Sequence, residues 1–448
     1  MAYTTFQGHC DTNRFNPSGK TSLPSQPPYS NPSPSPVPPS PLTSTSPPLH
    51  AIITTSSSWT YLSEGASNIV YRYTGPPSPV FSNYLLRLRK FLPGSPDTLT
   101  NFTALQTHFL PALGDDVVVP TVLARLVAGV AAEFNAALLS RRGMLHRRMG
   151  AEGGGVGIGR GEVDENENWG MLVGDMSCGM VRGGGGGDTG IGGWTDMAMV
   201  EFKPRWLAQS VDAPEEWNVC RSCAVRRMQG GPTTTGLRSG ERKSRRRKGK
   251  NQHHRRCLSG DSGIGMISDD EEDSSSDESD QDYCPLDLSS SNPKHIHRAA
   301  RALITTPAGT LHWRPYGNHH HNLTPSLLTH HLTHWLSPGN PGGEILSRLR
   351  SAQEYWGRHG VFAEGREEVE EVGRAMAVRD CSVWVRVWVW EGAQGMQGEQ
   401  VRLECRVGDL DVKSGKGGGG AYWKNMERKL DRGGWYGDVG DGEVGCRK

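Results

Sequence analysis

Long apolar runs are absent from this chain of 448 residues. No window approaches the ~18 consecutive apolar residues that a membrane-crossing helix needs, and the N-terminus has no charged-then-apolar signal pattern. Nor does charge of either sign prevail. There are 49 Lys and Arg against 48 Asp and Glu, a formal net charge of +1. That balance excludes a globally basic nucleic-acid binder and a globally acidic, solvating chain. Hydrophobic residues reach only 35% and aromatics 7%, so part of the chain lies outside any packed core. Nine scattered cysteines form no recognisable disulfide framework and suit a reducing compartment. The expectation is a soluble, intracellular protein with no membrane partner.

Glycine and proline are plentiful, and they are localised. Twelve of the 29 prolines fall in the first 50 residues, in a Ser/Thr/Pro setting, which reads as extended, solvated chain. Residues 150–193 hold 18 glycines, including the run Gly183 to Gly187. Between Gly230 and Asp282 the chain is first basic (RKSRRRKGKNQHHRR) and then acidic (SDDEEDSSSDESDQD). Setting these tracts aside leaves roughly 300 residues, enough for one large or two small cores.

In WTYLSEGASNIVYRY two β-prone runs flank a turn of small residues, Gly65, Ala66, Ser67 and Asn68. The turn fits an ordinary hairpin and a phosphate-covering loop alike. In LLRLRKF, alternation puts Arg87 and Arg89 on one face and Leu86 and Leu88 on the other. Residues 121–140 have helical spacing and good helix formers, and we read one core helix there. The basic RRGMLHRRMG after it reads as a solvated helix end. MAMVEFKPRWL reads as a strand with Glu201, Lys203 and Arg205 on one face and Val200 and Phe202 on the other. A line of charges on an otherwise apolar element suits a charged ligand, or an edge strand facing water.

The C-terminal part reads as a hairpin of SVWVRVWVW and VRLECRV, with Arg386 the one charge in the first strand. Asp380 stands directly before it and Asp409 directly after. Two aspartates framing a hairpin fit a kinase centre, where one carboxylate accepts the proton of the attacking hydroxyl and the other holds Mg²⁺. They also fit two aspartates capping strand ends.

WTYLSEGASNIVYRY, LLRLRK, VEFKPRWLAQS, CRSC, YCPLDLSS, RDCSVWVRV and DLDVK, in this order, resemble the inositol-pentakisphosphate 2-kinase family. The resemblance implies an α+β, two-lobed kinase-like fold related to the inositol polyphosphate kinases, with long disordered insertions. It implies a Pro/Ser-rich tail over 1–58, an N-lobe over 59–173 with its Gly-rich insertion from about residue 150, and a C-lobe over 174–448 interrupted at 229–282. The implied activity is transfer of the ATP γ-phosphate to the 2-hydroxyl of inositol 1,3,4,5,6-pentakisphosphate, giving the hexakisphosphate (phytate), with ATP and Mg²⁺ as cofactors. Gly65, Ala66, Ser67 and Asn68 would cover the phosphates and Arg87 would be the cation of the third strand. WGMLVGDMS is similar to the family's hinge, so the stretch Asp175 to Ser177 would meet adenine. Glu201 and Lys203 would lie at the nucleotide and reaction centre, with Lys203 stabilising the transferring phosphoryl. Arg205 and Lys413 would bind substrate phosphates, Asp380 would be the base, and Asp409 would hold Mg²⁺, helped by Asp411.

The chain departs from the family where a pair of Asn and an Arg are expected. Here stand Gly309, Thr310 and His312, with Arg314 a substitute candidate. The run Gly417 to Gly420 interrupts the region after Lys413, leaving Lys416 and Tyr422 as further candidates. Cys220 and Cys223 form a CxxC, but zinc needs about four ligands. The nearest His pair, His253 and His254, falls in the biased tract, so we read small buried cysteines. His319 to His321, His330, His331 and His334 read as surface histidines. The basic run Arg242 to Arg256 reads as a nuclear import signal rather than a nucleic-acid site. The rival to a monomeric nuclear enzyme is a catalytically weakened inositol-polyphosphate binder or nuclear interaction protein on the same fold.

Overall fold

Two sheets organise the structure, a computed structural model that describes residues 51–148, 161–176, 193–230, 283–306, 309–313, 323–391, 401–414, 418–437 and 446. All of these belong to one unit, Pro48–Lys448. The Pro-rich tail and the basic/acidic tract lie outside the described residues, as do 149–160 and 177–192 of the Gly-rich one.

The first sheet has the order β1-β5-β6-β4-β3-β2. After β1 (Ala51–Ile53), the expected hairpin forms as β2 (Trp59–Glu64) and β3 (Asn68–Tyr73). β4 (Tyr84–Arg89) follows it with Leu86 and Leu88 fully buried and Arg87 and Arg89 on the opposite face, as alternation predicts. A helical segment comes next: α1 (Thr98–Ala104), a π turn at Leu105–Phe109 and α2 (Leu110–Leu113). Asp97 caps it by accepting from the Thr100 amide at 2.6 Å.

The expected single helix over 121–140 is two elements. TVLARL forms β5 (Thr121–Leu126), and α3 (Val130–Arg148) begins only after Gly129, whose φ is 87°. An apolar run cannot itself distinguish a buried helix from a strand held on both edges. Here β5 lies between β1 and β6 (Trp169–Gly174), so both its edges find hydrogen bonds. Phe134 and Leu138 of α3 then close a core with Ile69, Tyr71, Leu86, Leu88 and Leu172. Each fully buried aliphatic or aromatic side chain in it contributes about 1.5–3 kcal/mol.

The second sheet has the order β10-β9-β7-β8, all antiparallel. β7 (Gly193–Phe202) stops two residues short of Pro204, with Val200 and Phe202 buried as expected. Then come α4 (Arg221–Met228), α5 (Pro285–Leu288), α6 (Pro293–Thr305) and β8 (Gly309–Trp313). α7 (Pro325–Leu336), α8 (Pro341–Gly357) and α9 (Arg366–Asp380) lead into the hairpin of β9 (Ser382–Glu391) and β10 (Val401–Gly408). α10 (Gly418–Arg432) ends the series. Val383, Val385, Val387 and Val389 present one face of β9 to a core shared with these helices. The two sheets are tied by backbone: the Val119 amide donates to the Val407 carbonyl (2.9 Å) and the Val407 amide to Val117 (2.8 Å).

The break at Gly129 gives a direct test. An alanine there must hold a left-handed conformation that costs a non-glycine residue about 1–2 kcal/mol. Gly129→Ala should therefore lower unfolding stability by that amount in urea titrations. An unchanged midpoint would mean that strand and helix are not separated by this residue.

Candidate active site

The pairing of Ser382 with Gly408 puts both ends of the β9–β10 hairpin at one place. Asp380 therefore ends α9 beside Asp409, which follows β10. β7 is antiparallel to β9 and reaches the same end, where Phe202 faces Val383. That delivers Lys203. Its ammonium donates to the Asp380 carbonyl (2.5 Å) and lies 3.5 Å from Asp380 Oδ1 and 3.7 Å from Asp409 Oδ2. Lys413 Nζ is 3.1 Å from Asp380 Oδ2, and Arg205 approaches Oδ1 at 3.6 Å. Burial alone would raise the Asp380 carboxyl, but Lys413, Lys203 and Arg205 outweigh it and hold the group below the usual range near 3.8. Asp380 is thus an ionised acceptor at neutral pH.

Two residues here have left-handed backbones without being glycine, Arg205 and Asp409, each with φ of 59°. Such conformations persist where the surroundings enforce them. For Arg205 the enforcer is Gln353, fully buried, which donates to the Arg205 carbonyl (2.8 Å) and accepts from the Leu207 amide (2.9 Å). The Trp206 ring between them is faced by the guanidiniums of Arg379 and Arg221, 3.6 and 4.3 Å from its centroid.

The first sheet supplies the opposite wall. Arg87 lies 3.4 Å from Asp409 Oδ1 and is paired with Asp411. Asn68 donates to Asp411 Oδ2 at 3.0 Å. Behind them the Gly65–Ser67 turn is pinned by Lys90, 1% exposed: its ammonium donates to the Gly65 carbonyl and its amide to Ser67, both at 2.8 Å. Between the walls lies an open cleft whose lining includes the apolar Val118, Val119, Met171, Val173 and Leu410 and the charged Arg87, Asp409 and Asp411. Hard carboxylate oxygens from Asp409 and Asp411, already facing a cation, fit a divalent ion of the Mg²⁺ type.

Asp380, Lys203, Arg205, Lys413, Asp409, Arg87 and Asn68 thus converge. Gly65, Ala66 and Ser67 form the turn beyond Asn68. Glu201 sits in β7 between Thr310 and Trp384, and its carboxylate has no ion-pair partner among the described residues. Asp175 is buried just past β6 with its carboxylate 3.3 Å from Arg72, while Ser177 lies outside the described residues. Gly309, Thr310 and His312 form β8 beside β7, Tyr422 is exposed on α10, and Arg314 and Lys416 are outside. Sequence reasoning missed Tyr283, whose hydroxyl donates to the Lys203 carbonyl at 3.2 Å, and Asn101, which accepts from the Val412 amide at 3.0 Å.

A family model described as Inositol-pentakisphosphate 2-kinase matches residues 61–429. The chain belongs to this family. A search of the curated proteins returns no match. The matched span contains every residue of the site described above.

Outside that site, the CxxC read as two buried cysteines has company. Cys220 and Cys223 are joined by Cys284 and Cys446, and the four sulfurs lie within 4.8 Å of one another. Hydrogen bonds from Cys220, Cys284 and Cys446, and the Arg226 guanidinium at 2.9 Å, draw the Cys223 thiol down against the effect of its burial. Four sulfurs at this spacing fit a tetrahedral structural zinc. YCPLDL held the missing signal in its Cys284, but 64 positions separate Cys220 from it, and Cys446 comes from beyond the matched span.

Two outcomes check these geometries. Elemental analysis of protein purified without chelator should give about one zinc per chain, lost in Cys284→Ser; no zinc in the wild type excludes the assignment. In α9, a Cβ on Gly373 would meet the Lys413 carbonyl at 2.4 Å. Gly373→Ala should displace Lys413 and lower turnover about tenfold to a hundredfold while circular dichroism stays unchanged. Wild-type turnover in that variant would remove Lys413 from the site.

Proposed function

We propose that the protein transfers the γ-phosphate of ATP to the axial 2-hydroxyl of inositol 1,3,4,5,6-pentakisphosphate, yielding the hexakisphosphate. The observation that carries this reading is the convergence of Asp380 and Asp409 on one ammonium, that of Lys203, 3.5 and 3.7 Å away. The fold in this reading is kinase-like. The first sheet is the N-lobe, the second with its helices the C-lobe, and the open cleft lined by Val119, Met171, Val173 and Leu410 faces the adenine.

Asp380 accepts the hydroxyl proton on its carboxylate, held ionised by Lys413, Lys203 and Arg205. Lys203 faces the charge that develops on the transferring phosphoryl, and its anchorage to the Asp380 carbonyl and under Tyr283 removes the need to reorganise. Asp409 and Asp411 would hold Mg²⁺, which when bound neutralises phosphate charge. Arg87 and Asn68 hold those carboxylates in place from the other wall. Arg205 and Lys413 are the nearest cations for the acceptor's phosphates, a ligand whose many charges need several such donors. We further propose that the enzyme acts as a monomer in the nucleus, the basic run Arg242 to Arg256 serving import.

The test is incubation with Mg²⁺-ATP and the pentakisphosphate, following hexakisphosphate by ion chromatography. Wild-type protein should form product, with Asp380→Asn and Lys203→Ala each slower by at least about 100-fold. Saturable pentakisphosphate binding without product would point instead to a non-catalytic binder.

A further inference from the structure

Arg386 is the one charged residue of a strand otherwise made of Val, Trp and Ser before its final Glu391, and the proton and phosphoryl chemistry above does not use it. It is 5% exposed. In the second sheet its backbone is registered against Met199 and Glu404. Its side chain leaves that sheet: a terminal nitrogen donates to the carbonyls of Asp175 (3.2 Å) and Met176 (2.9 Å). Those two residues are the first after β6, where the chain departs from the first sheet toward the second. From the other side Arg72, of β3 in the first sheet, lies 3.3 Å from the Asp175 carboxylate. The Asp175 amide in turn donates to the Asn83 carbonyl at 2.9 Å.

Burying an arginine is costly unless its donors are met. Here one terminal nitrogen meets two successive carbonyls, neutral acceptors just past the end of β6. We infer that Arg386 and Arg72 form a clamp, one from each sheet, that fixes the orientation of the Asp175–Met176 peptide and so positions the edge of the connecting segment that meets the nucleotide base. Arg386 acts through this peptide and touches neither acceptor nor phosphates, so it is a positioning residue. The inference rests on the adenine-binding reading for its consequence, and on the contacts alone for the clamp itself.

Two readouts separate these. Hydrogen exchange of the segment 169–176 in full-length protein without nucleotide reports the clamp. Steady-state kinetics report its use. Arg386→Met should speed exchange in that segment. It should raise the KM for ATP at least about fivefold, the scale of two lost hydrogen bonds, with the KM for the pentakisphosphate and the pH profile unchanged. Arg72→Met, which leaves the β9 core untouched, should act in the same direction more weakly and guards against a folding defect in the first variant. Wild-type exchange in both variants overturns the clamp. Faster exchange with an unchanged KM for ATP keeps the clamp and overturns its role at the nucleotide. Absence of any ATP-dependent turnover in the wild type overturns the kinase reading, while the exchange comparison still decides the clamp.

Discussion

Three carboxylates confined to one sheet end would repel one another unless cations were confined with them, and that constraint governs the site. Asp380, Asp409 and Asp411 are neutralised by Lys203, Arg205, Lys413 and Arg87. The cations come from three separate stretches of chain, the end of β7, the residues after β10 and β4, so the charges balance only if both sheets are in place. Their placement follows from backbone pairing. Antiparallel register brings the ends of β7, β9 and β10 together, and the Val117–Val407 bonds fix Arg87's sheet against them. The left-handed backbones of Arg205 and Asp409 are the local strain of aiming charged side chains from strand ends into one volume.

Most of this geometry was legible where the pattern was periodic. Alternation assigned Leu86 and Leu88 to one face and Arg87 and Arg89 to the other, and the Asp380–hairpin–Asp409 layout stood in the sequence because hairpins return the chain to its start. The segment 121–140 was not legible for a physical reason. Val122, Leu123 and Ala124 serve a strand bonded on both edges as well as they would a buried helix, and only the long-range pairing with β1 and β6 decides. Gln353 illustrates the same limit. Nothing in a helical glutamine announces that it bridges Arg205 and Leu207 across the fold.

The four-cysteine cluster was hidden for a related reason. A CxxC shows two ligands because they are neighbours in sequence, and the other two come from places that only the folded chain brings near. Cys284 sits just before the short helix α5, whose Asp287 is fully buried and held by Arg298 at 2.7 Å. Cys446 arrives beyond α10, where its amide donates to the Asn218 carbonyl at 2.7 Å. Both segments are thus anchored by contacts other than those of the sulfurs.

That anchorage bears on how the chain tolerates its insertions. The basic and acidic tract leaves after α4 and returns just before α5, and Cys223 and Cys284 stand on either side of it. Closing a loop costs entropy that grows only logarithmically, about 0.6 kcal/mol for each doubling of length. Once its ends are fixed by the Arg226 bond to the Tyr283 carbonyl (2.8 Å) and by the Tyr283 bond to Lys203, extra residues add little further cost. The loop ends are thus coupled to Lys203 rather than to the loop's content. An insertion of extreme composition can lengthen here without moving Lys203.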